Sequence, residues 1–209
     1  METSSKESIK FGDSIRIKRI HISDLDEKSL TEFKCDNKTI DSFFKEESAQ
    51  LERNVTFAFI DVDENNVIGF YSLCCNGIDI LKEETDDEGN RCIYRTIEPA
   101  IEIDFFAIDE RYRSIPFSSE SSRYETLSQY LFLYVLDEIK NISKKAVGAK
   151  YIILYSVPQA ISFYKRCKFV DFTEYMIEDG DPFVSECTAM FKKIDKWRYI
   201  CVKAVCESR

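Results

Sequence analysis

The chain has 209 residues, of which 44% are hydrophobic and 32% charged, and its formal net charge is −9. This length and composition predict one soluble globular domain with a real core, and the net negative charge argues against a broadly basic nucleic-acid-binding surface. Neither an apolar run of membrane-spanning length nor an apolar signal-peptide core is present, so we expect no membrane association and a cytoplasmic protein.

The chemistry-bearing residue types narrow the function further. Eight cysteines are scattered without a C-x-x-C pair, which favours reduced thiols over a disulfide scaffold. The single histidine, His21, removes most of the support for a Cys/His zinc site or a histidine-based nucleophilic triad. We therefore expect no metal and assign His21 a structural or surface role.

Strand and helix patterns alternate along the first half of the chain. The polar segment 1–13 is predicted to be frayed, and the acidic run EETDDEGN is predicted to be a solvated loop. CDNKTID, within the helical region, is predicted to split it into two helices. In order, the patterns predict a strand at 14–21, helix at about 30–53, a hairpin of strands at 55–62 and 67–73, and the acidic loop at 83–90.

The central stretch Ile101–Phe132 combines a strand, a polar loop and a helix without interruption. Apolar residues crowd 101–108, and from Glu125 they fall at helical spacing behind a possible capping box of Ser122 and Glu125. A helix N-terminus suits a phosphate, although most such turns bind nothing. Beyond it the patterns predict a strand at 149–157, a helix at 159–168, strands at 169–172 and 187–194, and a C-terminal extension at 195–209 that packs on the domain or contacts a partner.

Three segments in this order resemble the GNAT acyl-CoA N-acyltransferases. The family's last helix is similar to AISFYKRCKF, in which Lys168 stands where glycine is usual. Its fourth strand is similar to IEIDFFAIDERYR. The toxin-type branch of the family is similar to FKCDNKTIDSFF together with GFYSL. The resemblance implies one α/β (α+β) domain over 14–194. It further implies a mixed, mostly antiparallel, twisted sheet of about six or seven strands, splayed between the fourth and fifth, with about four helices.

The same resemblance implies an active site that uses acetyl-CoA and no metal. Tyr164 corresponds to the family's general acid, although an aromatic at helical spacing is equally at home in a core. Glu102 corresponds to the base of the histone acetyltransferase branch; alternation places it beside Asp104, which shares the task or holds a cationic acceptor, and the alternative is a solvent-facing polar side. The residues implied in contact with the acyl donor on the strand and last helix are Phe106, Ala107, Ile108 and Phe163.

The phosphate loop departs from the family pattern Q/R-x-x-G-x-G/A, because no such glycine pair exists here. Counted from the strand, the basic residue is Arg113, followed by Pro116, which has no N–H to donate. Counted back from the helix it is Arg123, which implies an insertion at about 114–122. The second count assigns the pyrophosphate to Arg123, Tyr124, Glu125, Thr126, Leu127 and Ser128, where the Thr and Ser hydroxyls replace close glycine approach.

Taken together, the resemblance implies an N-acetyltransferase that moves the acetyl group of acetyl-CoA to a primary amine of a small molecule, a peptide or a protein lysine. The acidic side chains suit a cationic acceptor. One alternative is toxin-type acetylation of aminoacyl-tRNA, which would need a local basic groove. The other is a catalytically weak or inactive fold that binds an acyl-CoA or a protein. A homodimer is compatible with each of these.

Overall fold

The computed structural model describes residues 8–11, 15–46, 54–116, 126–172 and 186–194. Within these residues the chain forms eight strands and four α-helices. The capping-box pair, three residues of the predicted phosphate loop and the C-terminal extension lie outside them. In chain order the elements are β1 Ser8–Phe11, β2 Ile15–His21, α1 Glu27–Glu32, α2 Lys38–Lys45, β3 Val55–Asp61, β4 Asn66–Thr85, β5 Arg91–Ile108, α3 Leu127–Ile142, β6 Tyr151–Ser156, α4 Ile161–Arg166, β7 Val170–Asp171 and β8 Thr188–Lys193.

The chain divides into two compact units. Unit 1 holds the described residues of Met1–Ser72 and Phe106–Leu131, and unit 2 holds those of Leu73–Phe105 and Phe132–Asp195. The long strands β4 and β5 and the helix α3 each run from one unit into the other. No helix among the described residues is long and apolar enough to cross a membrane.

Unit 1 contains the strand order β1–β2–β3–β4–β5. β1 pairs antiparallel with β2, and β2 pairs antiparallel with β3 in a register that places Arg19 opposite Phe59. Part of the segment predicted to be frayed is thus an edge strand, since Ser8–Phe11 alternates polar and apolar residues in register with β2. This strand takes the sheet beyond the six or seven strands predicted.

Three phenylalanines pack together in the core of unit 1. Phe33, Phe44 and Phe70 are all 0% exposed, and the rings of Phe33 and Phe44 have centroids 4.8 Å apart. Phe70, on β4, stacks on Phe44 at 4.4 Å and meets Phe33 edge-on at 5.4 Å.

The predicted division of the first helical region is confirmed, because Asn37 caps α2 by accepting hydrogen bonds from the N–H groups of Thr39 and Ile40.

Unit 2 contains the strand order β4–β5–β6–β8–β7. β5 and β6 are parallel, with Ala100–Glu102 registered against Tyr151–Ile153, and β8 is antiparallel to both of its neighbours. Beyond Ile153, β6 continues in register with β8, while the described register with β5 has ended. The predicted mixed sheet is confirmed, and the splay predicted between the family's fourth and fifth strands falls between β5 and β6 here.

The predicted acidic loop is shorter than the sequence suggests. β4 extends to Thr85 and β5 begins at Arg91, so only a tight turn separates them. In this turn the N–H of Gly89, at a φ of 83°, donates to the carbonyl of Asp86, whose own N–H donates to Asn90. The prediction of a loop at 83–90 was wrong for its first three residues, because the arms of the hairpin pair their charges across the strands.

Candidate active site

The backbone of β5 changes the edge to which it directs its hydrogen bonds. The carbonyl of Pro99 accepts from Lys150 on the β6 side, whereas the N–H of Asp109 donates to Ile68 on the β4 side. Residues of equal parity point to the same edge of a regular strand, so the alternation shifts by one residue between Pro99 and Asp109. The carbonyl of Ala107 also lies on the β4 side, where it leaves room only for a glycine, Gly69.

This shift matters for the residues predicted to align an acyl donor. Because Ala107 and Asp109 face β4, Phe106 and Ile108 direct their backbone groups to the opposite edge of β5. The described pairing of that edge ends at Glu102. A strand edge of this kind suits the amide groups of a pantetheine chain, which fits the predicted role of Phe106 and Ile108, whereas Ala107 faces β4.

Glu102 lies at the end of the paired part of β5 and is only 5% exposed. Its Oε2 accepts hydrogen bonds from the side-chain amide of Asn76 at 2.5 Å and from the thiol of Cys74 at 3.6 Å. Its Oε1 accepts no hydrogen bond from the described residues, but this oxygen is not fully enclosed. One oxygen is therefore held by neutral donors, and the other keeps access to an incoming group.

Glu98, four residues earlier on β5, is a buried carboxylate of a different kind. It accepts hydrogen bonds from Lys150 and, at 2.7 Å, from Lys82. These two ammonium groups lower the pKa of Glu98 from 4.5 to about 2. Both oxygens of Glu98 are therefore engaged by cations, whereas Glu102 has one oxygen that accepts no hydrogen bond from the described residues.

Asp104 is half-buried and lies two residues after Glu102, closer to the end of β5. The predicted sharing of one face by Glu102 and Asp104 depends on regular alternation. The alternation of β5 shifts by one residue between Pro99 and Asp109, a range that includes both carboxylates. That Glu102 and Asp104 share one face therefore stays a prediction.

Tyr164, on α4, is 8% exposed and lies in an aromatic cluster of unit 2. Its ring centroid is 5.2 Å from those of both Phe132 and Phe163, and 6.1 Å from that of Phe169. Its hydroxyl has no hydrogen-bond partner in the described part of the chain, although the hydroxyl oxygen is not fully enclosed. Burial raises the pKa of Tyr164, so the hydroxyl stays protonated at neutral pH.

The end of α4 explains the departure at Lys168. The N–H of Phe169 donates to the carbonyl of Tyr164 and the N–H of Lys168 to that of Lys165, which is a Schellman motif. Lys168 takes the left-handed position of this motif, with a φ of 69°. Glycine is favoured there because it lacks a Cβ, so the residue that the resemblance marks as unusual occupies the glycine-type turn.

At the start of α3 the two ends of the predicted insertion come together. Pro116 and Thr126 form an isolated antiparallel bridge, and the N–H of Leu127 donates to the carbonyl of Ile115 at 2.9 Å. The residues counted from the strand and those counted back from the helix therefore meet in unit 1. Residues 117–125, which lie outside the described residues, separate the two ends; this segment is as long as the predicted insertion at 114–122 and begins three positions later.

The backbone donors of α3 are partly used within unit 1. The N–H of Leu127 bonds Ile115, and that of Gln129 bonds the Oγ1 of Thr126, the N-cap. The Ser128 hydroxyl donates to the carbonyl of Arg113 at 2.9 Å. Of the first three amides of α3, only that of Ser128 is left for a phosphate, so this turn is a poorer anion site than the sequence predicts.

Arg113 is also engaged. Its guanidinium donates to the carbonyl of Cys35 at 2.6 Å and pairs with Asp36 at 3.3 Å, which ties the end of β5 to the connection between α1 and α2. A phosphate would have to compete with both partners. Arg123, Tyr124 and Glu125, the other candidates for the pyrophosphate, lie outside the described residues.

Two residues of the site escaped the sequence analysis. Asn76 and Cys74 are 26 and 28 positions from Glu102, and only the pairing of β4 with β5 brings them together. Their spacing carries no motif, so a register for the two long strands would have been needed to find them. Within the described residues, no group of three or more His, Cys, Asp or Glu side chains could hold a metal ion.

Comparison with known proteins gives a likeness of structure alone. No family model and no curated protein sequence matches the chain. A structure described as a bacterial toxin superimposes with a TM-score of 0.63 at 19% identity, over 86% of this chain and 92% of the other. A mutant of the AtaT toxin gives a TM-score of 0.61 at 15% identity, over 85% of this chain and 89% of the other.

A third structure, AtaTR bound with AcCoA, gives a TM-score of 0.55 at 15% identity and covers 85% of this chain and 93% of the other. At these identities the likeness establishes the course of the backbone. The parallel pairing of β5 and β6 and the divergence after Glu102 agree with it. The chain has the fold of the GNAT acetyltransferases.

Proposed function

We propose that the protein is an N-acetyltransferase that moves the acetyl group of acetyl-CoA to a primary amine. The observation that carries this proposal is the buried carboxylate of Glu102, which has one oxygen fixed by Asn76 and Cys74 and the other accessible. Such a group accepts a proton without first giving up a cationic partner. A buried glutamate of purely structural use is paired like Glu98.

In the proposed reaction the amine nitrogen attacks the thioester carbonyl carbon, and the carbon–sulfur bond breaks. Glu102, directly or through a water molecule, takes the proton that the amine loses. Asp104 lies further along β5 and is proposed to attract the cationic form of the acceptor. An acceptor amine is protonated at neutral pH, so an accessible carboxylate serves both to bind it and to deprotonate it.

Tyr164 is proposed to stabilise the departing thiolate and to supply its proton. Its hydroxyl is protonated and has no competing partner in the described residues, so it can donate to a sulfur without losing another hydrogen bond. The raised pKa of Tyr164 favours a hydrogen bond to the developing charge over early release of the proton. The neighbouring ring of Phe163 is proposed to contact the acyl donor.

The acyl donor is proposed to pair through its pantetheine amides with the edge of β5 that faces away from β4, at Phe106 and Ile108, and to pass Ala107, whose carbonyl faces β4. Since Arg113 is tied to Cys35 and Asp36, Arg123 is the better candidate to meet the pyrophosphate. Tyr124, Glu125, Thr126 and Leu127 are proposed to lie next to the pyrophosphate, although the N–H of Leu127 is already bonded to Ile115. Ser128 would contribute its N–H, because its hydroxyl bonds Arg113.

A second acceptor class is favoured by one observation. Two of the structures that superimpose with TM-scores above 0.5 are described as toxins, and a third is AtaTR bound with AcCoA. Since the sequence resemblance to the toxin-type branch implies acetylation of the amino group of an aminoacyl-tRNA, this acceptor is the second candidate. The net charge of −9 disfavours it, because an RNA acceptor needs a basic surface.

The test is release of free CoA from acetyl-CoA, followed by thiol detection, with three acceptors: a polyamine, a lysine-containing peptide and an aminoacyl-tRNA. We expect acceptor-dependent thiol release with one of the two amines. Release with the tRNA alone would select the second candidate. Stabilisation by acetyl-CoA without release to any acceptor, at any pH from neutral to about 9, where amines are partly deprotonated, would indicate a binding module instead.

A further inference from the structure

The hairpin formed by β4 and β5 has two distinct faces in unit 2. Even-numbered residues share one face, since Lys82 pairs with Glu98 and Tyr94 with Glu84. At its base this even face is covered, because Ile78 packs in a core cluster with Ala100, Ile153, Phe172 and Ala189. The opposite, odd face is defined by the residues described next.

The odd face is joined by contacts of its own. Arg95 pairs with Asp79 at 3.9 Å, and Arg91 pairs with Glu83. At the base, Gly77 lies against Ile97, so closely that a Cβ on the glycine would be 2.5 Å from the isoleucine Cγ2. Odd-numbered residues of both strands therefore point to the same side.

Three large aliphatic side chains stand exposed on this odd face. Leu81 is 70% exposed, Ile93 is 71% exposed and Ile97 is 73% exposed. Exposed aliphatic residues scattered singly are ordinary, but three on one face of a two-stranded hairpin form a patch. A two-stranded hairpin is marginally stable in water on its own, so burial of this face would stabilise it.

The charges of the odd face are divided between the two strands. Both acids, Asp79 and Glu83, are on β4, and both arginines, Arg91 and Arg95, are on β5. A two-fold axis in the plane of this face and parallel to the strands places β4 of one copy over β5 of the other. Each row of carboxylates then meets a row of guanidinium groups, and the aliphatic side chains meet at the centre.

We propose that the odd face binds the same face of a second copy of this chain and forms a two-fold dimer. The surface is self-complementary in both charge and apolar content, which is the requirement for an isologous interface. It has fewer side chains than the roughly 20–30 per partner of a standard interface. The dimer should therefore be weak, forming over the micromolar range.

The first experiment is sedimentation velocity of the full chain from about 1 to about 100 µM. We expect a monomer that converts to a dimer as the concentration rises. Ile93→Glu should stay monomeric over the same range. The matched control is Val147→Glu, which changes another exposed aliphatic residue elsewhere in unit 2 and should dimerise as the parent does. The Val147 side chain is 47% exposed.

The second experiment tests the charge arrangement directly. An acidic-face variant, Arg91→Glu with Arg95→Glu, and a basic-face variant, Asp79→Lys with Glu83→Lys, should each be monomeric. An equimolar mixture should form a heterodimer. The Arg91–Glu83 ion pair is exposed and contributes little to folding, whereas Asp79 is half-buried, so thermal unfolding of each variant provides the check that it is folded.

Three results would overturn the proposal. A parent chain that is monomeric at the highest concentration would mean that this face does not bind another copy. A dimer that persists in Ile93→Glu would place the interface elsewhere. Failure of the folded acidic-face and basic-face variants to associate with each other would contradict the two-fold charge pairing.

Discussion

Glu102 in unit 2 and the start of α3 in unit 1 were both assigned to the active site from the same resemblance, but their atoms are committed to different degrees. Glu102 has one oxygen held and one accessible, and the Tyr164 hydroxyl of the same unit has no described partner. At the start of α3, by contrast, the N–H of Leu127 and the Ser128 hydroxyl are already bonded within unit 1.

This difference separates the proposed proton transfer from the proposed phosphate recognition. The proposed proton transfer uses atoms that have no hydrogen-bond partner among the described residues, the Oε1 of Glu102 and the hydroxyl of Tyr164. Phosphate recognition cannot rely on the turn alone, because folding has used much of its donor capacity. We therefore expect changes to Glu102 and Tyr164 to have large kinetic effects, and changes at the start of α3 to act mainly on stability.

The largest effect is expected for Glu102→Gln. The amide keeps the shape but cannot accept the amine proton, so kcat/KM should fall about 10²- to 10⁴-fold. Steady-state thiol release measures this, with acetyl-CoA binding measured in parallel by thermal shift. Binding should be retained.

Glu98→Gln is the matched control, since it removes a buried carboxylate from the same strand. It should lower stability and leave kcat/KM unchanged below its unfolding temperature. Equal losses of rate in the two variants would show that any change of buried charge on β5 disables the protein, and Glu102 would then have no special role.

Tyr164→Phe should have the next largest effect, an about 10- to 100-fold loss of kcat with little change in KM. The melting temperature should barely change, because the hydroxyl has no described partner to lose. Tyr151→Phe, elsewhere in unit 2, provides the comparison. An unaltered kcat in Tyr164→Phe would make this tyrosine a core residue, the alternative that its helical spacing allows.

Ser128→Ala sharpens the comparison from the other side. It removes the hydrogen bond to Arg113, so the free energy of unfolding should fall by about 1 kcal/mol. The Kd for acetyl-CoA should stay within about twofold of the parent value, because the hydroxyl is not the group proposed to meet phosphate. Urea denaturation and calorimetric titration measure the two quantities. A tenfold weaker Kd with unchanged stability would reverse the assignment.

The smallest effect is a change in the pH dependence of stability. Because Lys150 and Lys82 hold the folded-state pKa of Glu98 at about 2, below its ordinary 4.5, their stabilisation is complete above pH 4.5. It is lost progressively as the pH falls from 4.5 towards 2. The urea midpoint of the parent should therefore drop across this range more steeply than that of Glu98→Gln. Parallel curves would show that the pairing contributes nothing.

The fold was accessible from the sequence because its signals are local. Alternation marked β2 and β3, helical spacing marked α3, and CDNKTID marked the break before α2. The extension of β4 through Glu83 to Thr85 was missed, because acidic residues are poor strand formers unless partners across the sheet offset them. Here Arg91 and Tyr94 are those partners.

The candidate site could be predicted from the sequence only where a single residue carries the signal. Glu102 and Tyr164 follow from motifs, whereas Asn76 and Cys74 depend on the pairing of two strands. The shift in the backbone of β5 likewise has no counterpart in composition. The engagement of Arg113 with Cys35 depends on a contact between residues 78 positions apart, which the sequence does not announce.

The most direct test of the central claim is a thermal-shift titration with acetyl-CoA, with free CoA and ADP alongside. A ligand that binds only the folded chain must stabilise it, by about 2.7 kcal/mol at a hundred times its Kd. We predict a rise in melting temperature with acetyl-CoA and a smaller rise with ADP, since the start of α3 offers few phosphate donors. An unchanged melting temperature at saturating acetyl-CoA and free CoA would contradict the proposed acetyl transfer.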